Sequence, residues 1–372
     1  MSESSFHRAT PGFTACTVML LSALAQAAPR IDHIGHPPGF SFVLITQAQD
    51  ISAAGDVVAG YSFSIDDTRA HKMIMRQIAF RWTPREGMRP LPYLPGGYLA
   101  AAQAVSADGH VLVGFSNGKT AEGHTFQSHA TRWSASDGVR DLGTLPGGKM
   151  SAASGVAANG DSIAGYGNNR QGRQRALLWR HNMPPEDLGT LGGLKSTALD
   201  ISRDGRYVVG AAHDAMGRSR AFIWDAVGGM RDIGSLPGMP AAQAIAISDQ
   251  GDVVVGHCAH AIDNWAMDSS AEKRGFIWYR ASGRMQELVN TIGGVMTQPL
   301  GVADNGQSVV GVATDAHDVA HAFRWTPTQG MTIETALAEP RRMEFARSVS
   351  SDGRYSVGRL AQDDSAFRAE WR

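Results

Sequence analysis

Residues 187–225 read DLGTLGGLKSTALDISRDGRYVVGAAHDAMGRSRAFIWD, and most of the chain is a variation on this unit. Four short runs, three inside the unit and one at the start of the next copy, are rich in β-branched or aromatic residues and end at turn signals: TALDIS, RYVVGA, RAFIW and MRDIGSL. The unit therefore predicts about four β-strands, which we call a, b, c and d in chain order.

The turn after strand a recurs at intervals of about 50 residues. In most copies it contains Asp-Gly or Asn-Gly, dipeptides that accept the positive φ of a tight hairpin. The glycine of this turn is found at Gly55, Gly109, Gly160, Gly205, Gly251, Gly306 and Gly353. These positions predict seven hairpins, each joining strand a to strand b.

Two further positions repeat with the same period. A second glycine is predicted to end strand b, and it is found at Gly60, Gly114, Gly165, Gly210, Gly256, Gly311 and Gly358. A tryptophan is predicted to close strand c, at Trp82, Trp133, Trp179, Trp224, Trp278 and Trp325, with a displaced counterpart at Trp371. Seven such units of four strands are typical of a β-propeller or an open solenoid.

The two ends of the chain favour the propeller. The seventh unit stops after Trp371 and lacks strand d, which in unit two has the sequence VRDLGTLPGG. A matching run, IDHIGHPPGF, occupies residues 31–40. We predict that residues 31–37 form a strand that completes the last blade, because ring closure removes free sheet edges. The predicted fold is an all-β, seven-bladed propeller with four antiparallel strands per blade, spanning residues 28–372 as a single domain.

Residues 1–27 resemble a secretory signal. Arg8 precedes the short apolar run FTACTVMLLSALA, and Ala25-Gln26-Ala27 offers an A-x-A cleavage site. We therefore expect an extracytoplasmic protein, periplasmic or secreted, cleaved near Ala27. The alternative is a disordered tail on a cytoplasmic protein, since Glu3 also lies in this segment. The apolar run is too short for a membrane span.

The charge pattern gives little sign of a polyanionic partner. The formal net charge is −1, and no basic run is concentrated enough to indicate nucleic-acid binding. We expect a monomer. Outside the predicted signal the one cysteine is Cys258, which is interpreted either as a small buried residue or as a reactive thiol.

Strand a contains small residues at fixed positions. Six alanines stand three residues before the last Ile or Val of the strand, at Ala48, Ala102, Ala153, Ala198, Ala244 and Ala346. Strands around a propeller axis are crowded, which explains small side chains. The residue directly before that Ile or Val is also small in most units, but it is Asp50 in unit one and Asp200 in unit four. They could form a paired-carboxylate site in the channel, or each could hydrogen-bond to a neighbouring blade.

Strands of the form Ala-Phe-x-Trp, followed by Asp-Leu-Gly-x-Leu-Gly-Gly and then Ile-Ser-x-Asp-Gly, resemble the bacterial "extracellular repeat, HAF family". The motif that names this family stands here as His321-Ala322-Phe323. The resemblance covers residues 31–372, although residues 331–342 depart from the pattern. It implies an exported propeller-like repeat protein and supplies no active site.

The units differ most between strands b and c. Units one, two and five have the longest connections, predicted as loops over residues 62–77, 116–128 and 259–274. Because strands alternate in direction, these loops share one face with the Leu-Pro-Gly-Gly crossovers, which we call the b–c face. The a–b hairpins lie on the opposite, hairpin face. Long loops on a rigid scaffold are typical binding sites.

The unit-five loop carries the one tryptophan that lies outside the repeat framework, Trp265. An aromatic face beside polar side chains is typical of sugar sites and of protein interfaces. The predicted ligand-binding residues are Trp265, His260, Asp263, Asn264 and Asp268. The alternative is that Trp265 folds back and anchors its own loop.

No catalytic motif, metal-ligand spacing or cofactor signature is found, so no cofactor and no metal are predicted. The favoured function is an exported binding module for a glycan or a protein. The alternative is an enzyme acting on a polysaccharide with carboxylates at the central channel, which would require two carboxyls at a defined separation. A purely structural role is a third possibility.

Overall fold

A computed structural model describes most of the chain, namely residues 30–38, 42–67, 73–120, 122–181, 183–261, 272–304, 306–333, 343–361 and 364–371. In these residues, 28 strands form seven antiparallel sheets of four strands each. The seven sheets are the blades of a propeller around a central channel. The predicted all-β, seven-bladed fold is confirmed.

Each blade runs outward from the channel through strands a, b, c and d. Blade one is β2–β5, blade two β6–β9, blade three β10–β13, blade four β14–β17, blade five β18–β21, blade six β22–β25, and blade seven β26, β27, β28 and β1. The first fifteen strands are β1 (Arg30–Gly35), β2 (Phe42–Ile51), β3 (Val58–Asp67), β4 (Met73–Thr83), β5 (Gly87–Pro90), β6 (Ala100–Val105), β7 (Val111–Lys119), β8 (Thr125–Ser134), β9 (Gly138–Asp141), β10 (Ser151–Val156), β11 (Ser162–Asn168), β12 (Gln174–Arg180), β13 (Glu186–Asp187), β14 (Gly192–Ile201) and β15 (Val208–Asp214). The remaining strands are β16 (Ser219–Asp225), β17 (Gly229–Asp232), β18 (Ala241–Ile247), β19 (Val253–Ala259), β20 (Arg274–Tyr279), β21 (Arg284–Leu288), β22 (Gly293–Val302), β23 (Val309–Asp315), β24 (Ala320–Thr326), β25 (Gly330–Ile333), β26 (Met343–Val349), β27 (Tyr355–Leu360) and β28 (Ala366–Glu370). Over these same residues, no helix is long and apolar enough to span a membrane.

The ring closes as the sequence predicts. Strand β1 pairs antiparallel with β28, so the N-terminal strand is strand d of blade seven. Ile34 is buried in the core between blades seven and one. Asp32 of β1 accepts a 2.6 Å hydrogen bond from Nη2 of Arg368, whose Nη1 donates to the carbonyl of Gly55 in the first hairpin. Closure therefore ties three segments together through one arginine.

The hairpin glycines serve both the turn and the packing between blades. All seven have φ between 65° and 74°, as the sequence predicts. A Cβ on Gly251 would lie 2.3 Å from the ring of Tyr207 in the preceding blade, and one on Gly160 would lie 2.5 Å from Val111. Backbone hydrogen bonds then link successive turns, for example from Arg203 N to Asp249 O at 3.1 Å. The hairpin face is therefore tightly packed around the channel.

The second set of glycines does not end strand b, contrary to the sequence-based prediction. Gly60 is the third residue of β3, which continues to Asp67. A Cβ there would lie 2.2 Å from the carbonyl oxygen of Gln47 and 2.5 Å from the ring of Phe80. Glycine is needed inside the strand because a neighbouring backbone and an aromatic ring approach it closely.

This changes the loops predicted over residues 62–77 and 116–128. Both regions are largely strand, since β3 pairs with β4 out to Met73 and β7 pairs with β8 out to Thr125. The b–c connections of blades one and two are therefore extended hairpins. The prediction over residues 259–274 agrees with a strand that ends at Ala259 and another that begins at Arg274.

The residue before the Ala of strand c pairs with the acidic residue of strand d. Arg175 donates from Nε to Asp187 at 3.0 Å, and Arg220 donates to Asp232 at 2.8 Å. The same aspartates accept a hydrogen bond from the backbone of the following Gly, as at Gly189. These contacts, with the equivalent ones of Asp141, give the Asp residue of this run a structural role at the edge of blades two, three and four.

Candidate binding site in the central channel

Every inner strand contains a β-bulge at the same place. The register shifts between the small residue and the position two residues later in all seven blades, for example between Ala48 and Asp50. A bulge places two residues opposite one and redirects a side chain. The residues at the centre of these bulges line the channel, and they are Gln49, Gln103, Ser154, Leu199, Ile245, Leu300 and Arg347.

This ring of seven is chemically asymmetric. Blades three to six contribute Ser154 and three aliphatic side chains, whereas blades seven, one and two contribute Arg347, Gln49 and Gln103. A cavity of about 140 Å³ lies within the ring and extends to the hairpin face. Within this ring, the amide and charged side chains are therefore confined to three adjacent blades.

Asp50 bridges the blades on either side of its own. Its Oδ2 accepts a hydrogen bond from the backbone of Val105 in blade two at 2.8 Å. Its Oδ1 accepts one from Ser348 Oγ in blade seven at 2.7 Å and another from the backbone of Ile51 at 2.8 Å. Burial raises the pKa of Asp50, while these three hydrogen bonds favour its charged form.

Asp200 occupies the equivalent position in blade four. It accepts hydrogen bonds from the backbones of Ile201 at 2.8 Å and of Ile247 in blade five at 3.0 Å. Gly155 of blade three makes room for it, since a Cβ there would lie 2.9 Å from Asp200 Oδ1. Burial, with a smaller contribution from the charge of Asp50, raises the pKa of Asp200 to about 7. Both aspartates line the channel, and both make the hydrogen bonds to a neighbouring blade that the packing interpretation expects.

The hairpin end of the channel, which we call the hairpin mouth, carries an ion-paired cluster that sequence reasoning missed. Arg203 Nε lies 2.5 Å from Asp249 Oδ2, and its Nη1 lies 3.3 Å from Asp304 Oδ2. Burial, together with hydrogen bonding to the Asp304 carboxyl, raises the pKa of Asp249 to about 8. The three residues share the second position of the a–b turn in blades four, five and six, which is the sequence signal that could have grouped them.

The opposite end opens into a larger cavity of about 480 Å³, which we call the vestibule. It is lined by the first half of inner strands and by the start of strand c in blades five and six, so it lies on the b–c face. Its polar and aromatic lining includes Gln47, Gln49, Gln103, Gln298, Tyr61 and Phe345. A cavity of this size with convergent polar groups is typical of small-molecule sites.

A hydrogen-bond network orders one wall of the vestibule. Tyr61 Oη donates to Gln47 Oε1 at 2.6 Å, and Gln49 Nε2 donates to the same oxygen at 3.2 Å. Burial raises the pKa of Tyr61, so its hydroxyl remains a neutral donor. This arrangement holds three side chains in fixed positions on the cavity wall.

Four of the described residues that line the vestibule are charged. Arg359 is paired with Glu344, to which its Nε donates at 2.7 Å, and its Nη1 lies 3.4 Å from Asp364. Lys273 is buried, and its charge adds to burial in lowering the pKa of nearby His257 to about 3. Three cationic groups and one carboxylate thus face the cavity.

Arg347 is the fourth charged residue and lies where the channel joins the vestibule. Within the described part of the chain, its guanidinium makes no hydrogen bond and no ion pair. Burial lowers the pKa of Arg347, and the negative charges of Tyr61, if ionised, and of Asp50 oppose that shift. Sequence reasoning missed Arg347, although it is the one charged member of the bulge ring and could have been found by aligning that position.

The residues predicted around Trp265 fall mostly outside the described residues. Trp265, Asp263, Asn264 and Asp268 all lie in the segment that the structure does not describe. His260 is described and exposed, and its Nε2 lies 3.5 Å from Glu272 Oε2.

Two other sequence-based expectations concern chemistry. Cys258 is fully buried, its Sγ accepts a 3.3 Å hydrogen bond from Leu236, and burial raises the pKa of its thiol to about 11. A thiol with this pKa is largely protonated at neutral pH and unreactive. In the described ranges no three His, Cys, Asp or Glu side chains are grouped as a metal site.

Comparisons with known proteins give the fold and no closer relationship. No protein-family model and no curated protein matches the chain. Among solved structures, the β-propeller domain of the trilobed protease from Pyrococcus furiosus has a TM-score of 0.57 at 9% identity, covering 89% of this chain and 95% of that one. It is described as having an open velcro topology, whereas β1 closes the ring here.

Two other structures are similar at the same level. An oligogalacturonate lyase in complex with manganese has a TM-score of 0.53 at 10% identity, covering 93% of this chain and 97% of that one. A chain of the mitotic checkpoint complex has a TM-score of 0.51 at 14% identity, covering 100% and 99%. At such identities these likenesses concern architecture alone. The chain is a seven-bladed β-propeller closed by its own N-terminal strand.

Proposed function

We propose that this protein is an exported binding module of the HAF-repeat type that recognises a glycan or a protein through its b–c face. The vestibule carries the proposal, because it is a preformed concave site of about 480 Å³ with amide, phenol and aromatic groups on its wall. Amides and a phenol hydrogen-bond to hydroxyl groups, while aromatic rings pack against the apolar faces of sugars and side chains.

The position of the vestibule beside the unit-five connection also supports the b–c face as the binding face. Lys273 lines the vestibule and follows residues 262–271, the segment that carries Trp265. The chain therefore enters blade five from that segment at the edge of the cavity. We propose that Trp265, Asp263, Asn264, Asp268 and His260 take part in ligand binding on this face.

Export is proposed from the sequence of residues 1–27 and from the resemblance to HAF repeats. The expected product begins after Ala27. N-terminal sequencing of the protein recovered from the periplasm or the culture medium tests this. A full-length N-terminus recovered with the cytoplasmic fraction would exclude export.

A ligand screen with two matched substitutions tests the binding face. Ala320 at the vestibule and Ala107 at the hairpin mouth are both half-buried alanines at the ends of one channel. We expect purified residues 28–372 to bind members of a glycan or protein array. Ala320→Trp should fill the vestibule and abolish binding, whereas Ala107→Trp should not. Failure of the parent to bind any probe, or equal binding by both variants, would contradict the proposal.

A polysaccharide-acting enzyme is the second candidate, and the acidic end of the channel favours it. Asp200 and Asp249, with pKa values raised to about 7 and about 8, match the protonation range of general acids at neutral pH. Another propeller of this architecture is described as an oligogalacturonate lyase. Two observations oppose this candidate. Both oxygens of Asp200 accept backbone hydrogen bonds. The carboxyl groups of Asp249 and Asp304 are hydrogen-bonded to each other, which is closer than the separation between the two carboxyls of a glycosidase.

Turnover separates the two candidates. Asp50→Asn and Asp200→Asn should leave binding intact, because these side chains link blades. Any hydrolysis or elimination of a polysaccharide that disappears in both variants, with the fold retained, would favour the enzyme.

A further inference from the structure

We infer that the vestibule selects ligands that carry an oxyanion group, the carboxylate of a uronic acid or the sulfate of a sulfated sugar, and that Arg347 is the residue that binds this group. The inference deepens the proposed binding function and rests on it. It concerns which glycans the b–c face accepts.

The first observation is the unfulfilled hydrogen-bonding capacity of Arg347. A guanidinium has five N–H donors in a planar fork and no acceptor, and it stays charged at physiological pH. Taking such a group out of water without partners is costly. Among the described residues no acceptor lies within bonding distance of it, although it lies where the channel meets the vestibule. An oxyanion can occupy two of its donors at once.

The second observation is the charge around the cavity. Among the described lining residues, Lys273, Arg347 and Arg359 are cationic and Glu344 is acidic, and Arg359 also lies 3.4 Å from Asp364. Glu344 is engaged by Arg359 through two hydrogen bonds. Arg359 is thus engaged by carboxylates, whereas the guanidinium of Arg347 forms no ion pair with any described residue.

The third observation is the reason why Asp50 does not neutralise Arg347. Asp50 already accepts hydrogen bonds from Val105, Ile51 and Ser348, which hold both of its oxygens at the junction between blades. It attracts Arg347 through space without an ion pair. Its charge therefore stabilises the cation in the channel while leaving the guanidinium donors for a ligand.

The surrounding groups favour a sugar as the body of the ligand. Tyr61, Gln47 and Gln49 form a fixed network beside Arg347, and Phe345 adds an aromatic wall. Polar amides and a phenol suit a hydroxyl-rich molecule, with the oxyanion directed toward the guanidinium. A peptide carboxylate is the competing ligand that the experiment must distinguish.

The test uses purified residues 28–372 on an array of neutral, uronate-containing and sulfated glycans. Carboxyl-reduced and desulfated forms of each acidic glycan serve as matched neutral probes, and acidic peptides serve as the competing class. We expect binding to acidic glycans that falls at least about tenfold on removal of the acidic group. The difference between the uronate and sulfate arms identifies which oxyanion is preferred.

Three variants assign the preference to Arg347. Arg347→Gln should lower affinity for the acidic glycan at least about tenfold and leave the melting temperature nearly unchanged, since the guanidinium makes no hydrogen bond or ion pair with a described residue. Arg347→Lys should retain part of the preference, because the charge remains without the planar fork. Arg203→Gln, at the hairpin mouth of the same channel, should keep the full preference.

The possible failures are distinguishable. Neutral and acidic glycans bound equally, with Arg347→Gln unchanged, would overturn the role of Arg347 while the binding function stands. Binding of acidic peptides alone would overturn the assignment of a sugar as the ligand. An array on which the parent binds nothing would overturn the proposed function and this inference with it.

Discussion

The two ends of the central channel each carry an arginine, and the two arginines are in opposite situations. Arg203 at the hairpin mouth is held by Asp249 and Asp304 from the next two blades. Arg347 at the vestibule has no partner in the described residues, and its ring neighbours Gln49 and Leu300 offer no carboxylate. The hairpin mouth thus satisfies its own charges, whereas the vestibule leaves a cation for something else to bind.

This contrast separates charges that hold the ring together from charges that are available to a ligand. At the hairpin mouth, ion pairs and backbone hydrogen bonds between successive turns connect the blades. At the vestibule, the cavity of about 480 Å³ is over three times the 140 Å³ volume of the channel. A rigid end and an open end of one channel are what a binding scaffold needs.

The largest expected effect comes from breaking the ring on which both ends depend. Removal of residues 31–39 would delete β1, expose the edge of β28 and free Arg368 from Asp32. We expect the free energy of unfolding to fall by several kcal/mol, at least as much as the most destabilising single substitutions cost. Thermal or urea unfolding of the truncated protein measures this loss. A truncation that melts like the parent would show that β1 does not close the propeller.

The second prediction tests the b–c face through Trp265. Trp265→Ala should weaken ligand binding by about 2 kcal/mol or more and leave the melting temperature nearly unchanged, because the role proposed for Trp265 is that of an aromatic anchor for the ligand, which adds little to the core. Trp278→Ala in the same blade is the matched control, since Trp278 is 7% exposed within the core, and it should lose stability. Loss of stability with unchanged affinity for Trp265→Ala would place Trp265 in a loop-anchoring role.

The third prediction compares the two arginines directly. Arg203→Gln should lower the free energy of unfolding by about 1–2 kcal/mol, because the partly buried carboxyl groups of Asp249 and Asp304 lose the guanidinium that links them. Arg347→Gln should change it by less than about 0.5 kcal/mol. Urea denaturation of the two variants side by side measures both values. Equal losses would remove the distinction between the two ends of the channel.

The smallest expected effect is a pH dependence at the acidic end. The pKa of Asp200 is raised to about 7, so the folded state retains a proton that the unfolded state has released above its ordinary value of 3.8. Stability from this group therefore falls as the pH rises through that interval and levels off above pH 7. Between pH 6 and pH 8 we expect the parent to lose about 1 kcal/mol more than Asp200→Asn. Parallel pH profiles for the two proteins would contradict a protonated Asp200.

The spacing within strand a shows how far the sequence could predict the channel. In six units an alanine stands three residues before the last Ile or Val of strand a, and in β2 both Ala48 and Ile51 face the same core. Residues three apart in a regular strand point to opposite faces, so the spacing itself indicates a bulge. The bulge in turn identifies the channel-lining position, which the simple alternation of strand residues conceals.

The loops show the opposite case, in which a local pattern misled. A glycine after a β-branched run is usually a strand end, yet Gly60 lies inside β3. The reason is a close approach by Phe80 and by the backbone of the neighbouring strand, neither of which is adjacent in sequence. The binding face was predictable from strand direction, but the boundaries of the connections on that face were not.

The sequence by itself determined the repeat, the seven hairpin turns, the all-β class and the strand that closes the ring. Each of these depends on short-range chemistry, such as a glycine that accepts positive φ, and is repeated often enough to be recognised. The tertiary structure alone decided which side chains meet around the axis. Asp50 and Ser348 are separated by 298 positions and join only because the ring closes. Whether a charge in the channel finds a partner depends on the neighbouring blades, and for that reason the contrast between Arg203 and Arg347 emerges only in the folded protein.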